Sequence, residues 1–208
     1  MTNSAKHPPA QPTLNPLQNL WLLRLLVPLG GHREFIEVTQ YRCDRTAVAL
    51  GLVPQDSQPL GKFDQAEAKA QLSQMYKLAE ETAAECMLPD LLQRNIRRLA
   101  DMIALNDLEQ QLLAFVVELH NERLLDDAAD WLGILSSAKV HHALSVLLNA
   151  PVKAIRSALD PNGKLGTTGL VKVDNKGVWP LKAKLDLLSE TFADRIASDD
   201  TDPVQLLS

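Results

Sequence analysis

Aromatic residues are scarce in this chain, at 4% of 208 positions, while leucine and alanine dominate. Leu and Ala are strong helix formers, so the composition predicts a mainly helical protein. Hydrophobic residues make up 46% and charged ones 23%, an ordinary balance for a globular chain. The length suffices for one large domain or two small ones.

Cysteine is nearly absent, with only Cys43 and Cys86. Neither stands in a CxxC pair, and no His/Cys cluster shows zinc-ligand spacing. The expectation is two reduced, mostly buried thiols in a cytoplasmic protein. Long apolar runs are also missing. The longest, LWLLRLLVPL over Leu20–Leu29, covers ten residues, and a membrane span needs roughly 20. Arg24 interrupts it and Pro28 closes it. Lys6 gives only a thin basic region before it, and no small-residue cleavage site follows. The run is expected to be a buried helix, with no membrane partner.

Catalytic signatures are missing as well. No serine sits in GxSxG, and neither cysteine has a recognisable base. The five histidines (His7, His32, His120, His141, His142) form neither HxxxH nor HExxH. His141 and His142 are adjacent, so on a helix they face different ways and share a metal poorly. Both are expected to be exposed. Gly163-Lys164-Leu165-Gly166-Thr167-Thr168 has the flavour of a phosphate loop. A true P-loop places Gly-Lys-Ser/Thr after a first glycine and four residues, and a helix follows. Here lysine precedes the second glycine and a strand is expected next. Asp126-Asp127 matches a helix N-terminus better than a catalytic carboxylate pair. No catalytic, cofactor or metal site is expected in this chain.

What is present is a charge asymmetry. The chain carries a net −5, with the acids concentrated in residues 64–130 and 185–208. Between Lys139 and Lys184 stand eight Lys or Arg against two acids, Asp160 and Asp174. An acidic body thus carries one basic module, as an acidic-partner or nucleic-acid surface would.

The pattern along the chain predicts a disordered leader over 1–16 and an N-terminal helical region over 17–90. Helices are expected from Leu17 to Leu29 and from Arg33 to Leu50, with a loop over 52–62. A long helix is expected over 64–87. Its stripe is Ala68, Leu72, Met75, Ala79, Thr82 and Cys86, and Glu80 lies on the outer face with the other acids. Residues 91–197 form a helical plus winged-helix-like domain, and 198–208 an acidic tail. Leu92, Ile96, Leu99 and Ile103 make one helix stripe, with Arg94, Arg97, Arg98 and Asp101 opposite. Asn106 and Glu109 stand at capping-box spacing. The helix that follows is apolar nearly all round, which places it at the centre of the fold. A short helix over Leu124–Leu132 ends at Gly133.

The winged-helix signal is a helix capped by Ser136 or Ser137, a turn at Asn149-Ala150-Pro151, and a second helix with Val152, Ile155 and Leu159 inside. A hairpin follows, with one strand at Leu170–Val173, a turn at Asp174–Gly177 and a return strand at Val178–Leu181. A last helix is expected from Leu181 through Leu185, Leu188, Phe192 and Ile196. The fold class is mainly α: a helical bundle followed by a winged-helix-like module with a small β-hairpin. The candidate contact residues are Lys139, His142, Lys153 and Arg156 on the helix pair, and Lys172 and Lys176 on the wing. Lys153 and Arg156 are neighbours on one face. The second helix offers few Asn, Gln or Ser side chains to read base edges, so phosphate contact is favoured over sequence readout.

Several runs resemble the segment that precedes the ATPase module in a group of bacterial AAA-family ATPases. They are RNIRRLADMIALNDLEQQLLAFVVELHNERLL, GKLGTTGLVKVD, LKAKLDLLSETFADRI and DPVQLL, with LWLLRLLVPLGGHREFI near the start. The resemblance touches most of the chain through apolar patterns. It implies a non-catalytic N-terminal region that recruits a protein substrate or adaptor and controls an adjoining motor. ATP and Mg would belong to the ATPase core. The family's Walker motifs, sensor residues and arginine finger have no matching positions here, so no functional residue carries over. The alternative is a winged-helix DNA-binding regulator. A third reading is a scaffold that self-associates through the 64–87 helix as a homo-oligomer.

Overall fold

Asn15 fixes where the first helix starts. In the computed structural model, which describes residues 14–37, 45–52, 64–198, 200 and 204, α1 runs Pro16–Leu26. The Asn15 side chain accepts from the Gln18 N–H, and the Gln18 side chain accepts from the Asn15 N–H. Pro16 sits in the first turn, where a missing N–H costs nothing. Leu20, Trp21, Leu22, Leu23, Leu25 and Leu26 are all buried, as expected of the apolar run. A helix apolar on every side must be wrapped from several. Here α4 (Gln65–Glu81), α7 (Arg123–Asp130) and α8 (Ser137–Leu147) enclose α1. No helix of the described residues is long and apolar enough to cross a membrane.

The helix expected over 33–50 is seen at its two ends, as α2 (His32–Glu37) and α3 (Arg45–Ala49). Residues 38–44, with Cys43, lie outside the described residues, as do 1–13, most of the expected loop over 52–62 and most of the acidic tail. The long helix is shorter than its sequence pattern. Asp64 caps α4, accepting from the Ala66 and Glu67 N–H groups. After Glu81 the ladder tightens into a 3-10 turn over Ala83–Glu85, so Cys86 leaves the helix. Ala68 and Leu72 are buried, and Met75 and Ala79 half-buried.

Pro89 precedes α5 (Asp90–Ile103), which ends where Ala104 adopts a left-handed φ of 57°. Its predicted stripe holds: Leu92, Ile96 and Leu99 are buried and the arginines opposite are exposed. The capping box of α6 (Asp107–Asn121) also forms, with Asn106 and Glu109 exchanging side-chain bonds for each other's N–H. Leu112 to Leu119 is buried without a break. Phe115 meets Trp21 edge-on with ring centroids 5.3 Å apart, and α6 lies at the centre of the molecule as its pattern requires.

The C-terminal part contains α8, α9 (Val152–Ala158), the short α10 (Lys164–Thr167), strands β1 (Val171–Val173) and β2 (Leu185–Leu187), and α11 (Glu190–Ser198). Ser136 stands at the N-cap of α8 but makes no side-chain cap bond. The turn to α9 passes through Asn149 at φ 49°. The fold is mainly helical with one small antiparallel strand pair, in register Val171↔Leu187 and Val173↔Leu185.

Around Pro180 the structure departs from the sequence pattern. The return strand is not Val178–Leu181, and the last helix does not begin at Leu181. Pro180 has no N–H to give a ladder. Leu185-Asp186-Leu187 alternates as a strand and presents a buried Leu185. Trp179 instead exchanges backbone bonds with Leu135, at 2.8 and 3.3 Å. The Ser189 hydroxyl accepts from the Phe192 N–H at 3.0 Å, which starts α11 late. Buried side chains from Trp21 to Ile196 form a single apolar cluster.

Candidate nucleic-acid or partner interface

The burial of α8 decides which of its side chains are available. Val140, Ala143, Leu144 and Leu147 face inward, leaving Lys139 and His142 exposed three residues apart. On α9, Ile155 and Ala158 are inside, and Lys153 and Arg156 are exposed. The two helices pack against one another. On β1, Lys172 points out between buried Val171 and half-buried Val173. It stands across from Asp186, and its amino group lies back over Gly169. Lys176 follows a turn in which the Asp174 carboxylate accepts the Lys176 N–H at 2.7 Å. All six predicted contact residues are therefore exposed. They fall into three local pairs, one on each helix and one on the strand and its turn.

The other bases of the module are spent internally. Lys182 pairs with Asp126 on α7 at 2.6 Å. Lys164 donates to the Ala104 carbonyl at the end of α5. Lys184 is fully buried, and its amine donates to the Gly177 carbonyl at 3.3 Å. A count of charges along the sequence cannot see this: three of the eight bases hold the module to itself or to the body. Among the described residues, Lys139, Lys153, Arg156, Lys172 and Lys176 have no acidic ion-pair partner.

Of the adjacent histidines, His142 is exposed but His141 is half-buried. Burial, and then the Arg156 guanidinium across the helix pair, hold the His141 pKa below its ordinary value. His32 and His120 face the carbonyls of Leu26 and Leu185. No group of metal-ligating side chains occurs among the described residues. Gly166 also has a packing reason. A Cβ there would stand 2.6 Å from the Pro161 carbonyl oxygen, so the glycine permits close backbone approach.

A second feature was not legible as a site. A cleft of about 620 Å³ opens between α1, the 3-10 turn, α5 and the end of α8, with Arg24, Glu80, Cys86, Met87 and Gln93 among its walls. Arg24, an interruption in the sequence pattern, is its organising residue. Its Nε and Nη2 donate to the two Glu80 oxygens, and its Nη1 donates to the Leu147 carbonyl at 2.6 Å. Glu80, expected on the outer face of α4, therefore turns inward. The Arg24 hydrogen bond holds the Glu80 carboxyl below the usual carboxylate range. Burial raises both the Tyr76 phenol, which bonds Glu80, and the Cys86 thiol. A thiol held protonated is a poor nucleophile. Arg24 acts here as a clamp joining α1, α4 and α8. Only its place inside the buried apolar run Leu20–Leu26 could have signalled a buried pair.

No protein-family model, no curated protein and no solved structure matches this chain.

Proposed function

We propose that this chain is the non-catalytic N-terminal region of a bacterial AAA-family ATPase. It recruits a protein substrate or adaptor and regulates the attached ATP-driven motor in the cytoplasm. ATP and Mg bind the ATPase core, and this region supplies no cofactor site. The observation that carries the reading is the way the exposed helix pair is mounted. The runs that carry the family resemblance fall on α1 and α2, on α5, α6 and α7, and on α10, β1, β2 and α11, which precede and follow α8 and α9 along the chain. Arg24 ties the end of α8 to α1, and α9 rests on α6. A partner seated on Lys139, His142, Lys153 and Arg156 would thus push on a joined body rather than on a loose appendage.

The cationic side chains without acidic partners favour one other reading, the winged-helix DNA-binding regulator. The two separate in a mobility-shift titration of duplex DNA. Phosphate contacts release counterions, so affinity for DNA falls steeply with salt. The ATPase reading expects no shift at low salt. A shift that salt removes, and that Lys153→Glu with Arg156→Glu abolishes, overturns it in favour of DNA binding.

A further inference from the structure

A second exposed group of cationic side chains lies on α5, outside the helix pair. Arg94, Arg97 and Arg98 stand on α5 at spacings of three and four, all exposed, so they share one helix face. The opposite face is fixed by buried Leu92, Ile96 and Leu99, and the arginines cannot rotate inward. Like charges at this spacing repel and weaken a helix. Among the described residues, Arg94 and Arg97 have no ion-pair partner to offset that.

Arg98 has one, and it comes from outside α5. Its Nη1 donates to the carboxylate of Asp200, two residues beyond the end of α11. The placement follows from packing. α11 lies along α5, and buried Asn95 donates through Nδ2 to the Ile196 carbonyl at 2.9 Å. That bond sets the last turn of α11 beside α5, and Asp200 reaches Arg98. Both Arg98 and Arg94 hold the Asp200 carboxyl below the ordinary aspartate range. The structure therefore shows a carboxylate of the same chain paired with one guanidinium of this face, Arg98.

We propose that the Arg94–Arg97–Arg98 face of α5 is a docking surface for an acidic peptide segment, and that Asp200 occupies it in cis. The guanidinium fork suits carboxylates. The face is short, bounded along α5 by Asp90 and Asp101. A spaced set of carboxylates fits between those acids, whereas a nucleic-acid backbone with a charge at every phosphate would run onto them. The Arg98–Asp200 pair is exposed, hence weak and screened by salt. A partner presenting several carboxylates can displace a single tethered one. This surface is separate from the helix-pair residues and stands or falls independently of the reading above.

The test is fluorescence anisotropy with a short labelled Asp/Ser peptide at about 20 mM salt, where screening is slight. The whole chain is compared with Asp200→Asn and with Arg94→Gln/Arg97→Gln/Arg98→Gln, each checked for native helicity by circular dichroism. Asp200→Asn should bind the peptide several-fold more tightly, because the tethered competitor is gone. The triple variant should lose at least tenfold, and raising the salt should weaken the wild type. Unchanged affinity in either variant overturns the proposal. If the glutamines unfold the chain, Arg97→Lys/Arg98→Lys replaces them: it keeps the charge and loses the fork, and should weaken binding. Tighter binding of a duplex oligonucleotide than of the peptide through the same arginines also overturns it.

Discussion

Arg24 and Glu80 meet through two parallel hydrogen bonds, 2.7 and 2.8 Å long, at the junction of α1 and α4. The remaining Arg24 donor reaches the Leu147 carbonyl at the end of α8. A bidentate guanidinium–carboxylate pair is directional as well as charged. It fixes three helices in relation to each other at a place where apolar contact alone would allow sliding.

Removing this pair should be costly. Arg24 is nearly buried while the Glu80 side chain is 30% exposed, so the loss is smaller than for a fully enclosed pair, on the order of 2 kcal/mol for Arg24→Met. Urea denaturation measures it. The Glu80 carboxyl is depressed in the folded state. Its contribution is therefore present above the ordinary carboxylate pKa and is lost as pH falls through the lowered value. Arg24→Met should flatten that acid-side slope.

Glu118 works in the opposite direction. Burial raises its carboxyl, and the Gln18 amide that donates to it at 2.6 Å offsets this only in part. A carboxyl raised by folding holds its proton more tightly in the native state, so stability falls as pH climbs from the ordinary value through the raised one. Glu118→Gln keeps an acceptor for Gln18 and carries no charge. Thermal melts across the acidic-to-neutral range should show the variant gaining on wild type as pH rises, and converging with it at low pH.

Lys184 tests the division between surface and interior charge. Its side chain is buried with one carbonyl as acceptor, an unfavourable place for an ammonium. Lys184→Met should fold with stability within about 1 kcal/mol of wild type, or above it. It should leave binding of any partner on the helix pair unchanged. A loss of partner binding in a folded Lys184→Met would mean that the basic module acts through its interior as well.

The sequence made the body legible where one local rule was strong. The Asn106–Glu109 box and the unbroken apolar run after it located the central helix. The α5 stripe separated its buried and exposed faces, and the six contact residues were all placed outside. What stayed hidden depended on choices between equal local patterns. Leu181, Leu185, Leu188 and Phe192 repeat at helical spacing, yet Leu185 and Leu187 also alternate, and the waiting edge of β1 decides for the strand. Pro180 removed the rival return strand, and Trp179 bonded Leu135 instead. The inward turn of Glu80 depends on Arg24, 56 positions away in the chain. The Arg98–Asp200 contact depends on how α11 packs on α5.

Recruiting partners for an attached ATPase, as proposed for this chain, requires a nucleotide-binding core joined to it. The most direct measurement is the coding sequence downstream of Ser208. The expected result is an open frame that continues into a Gly-x-x-x-x-Gly-Lys-Ser/Thr loop between a strand and a helix. A stop codon immediately after Ser208 would contradict it.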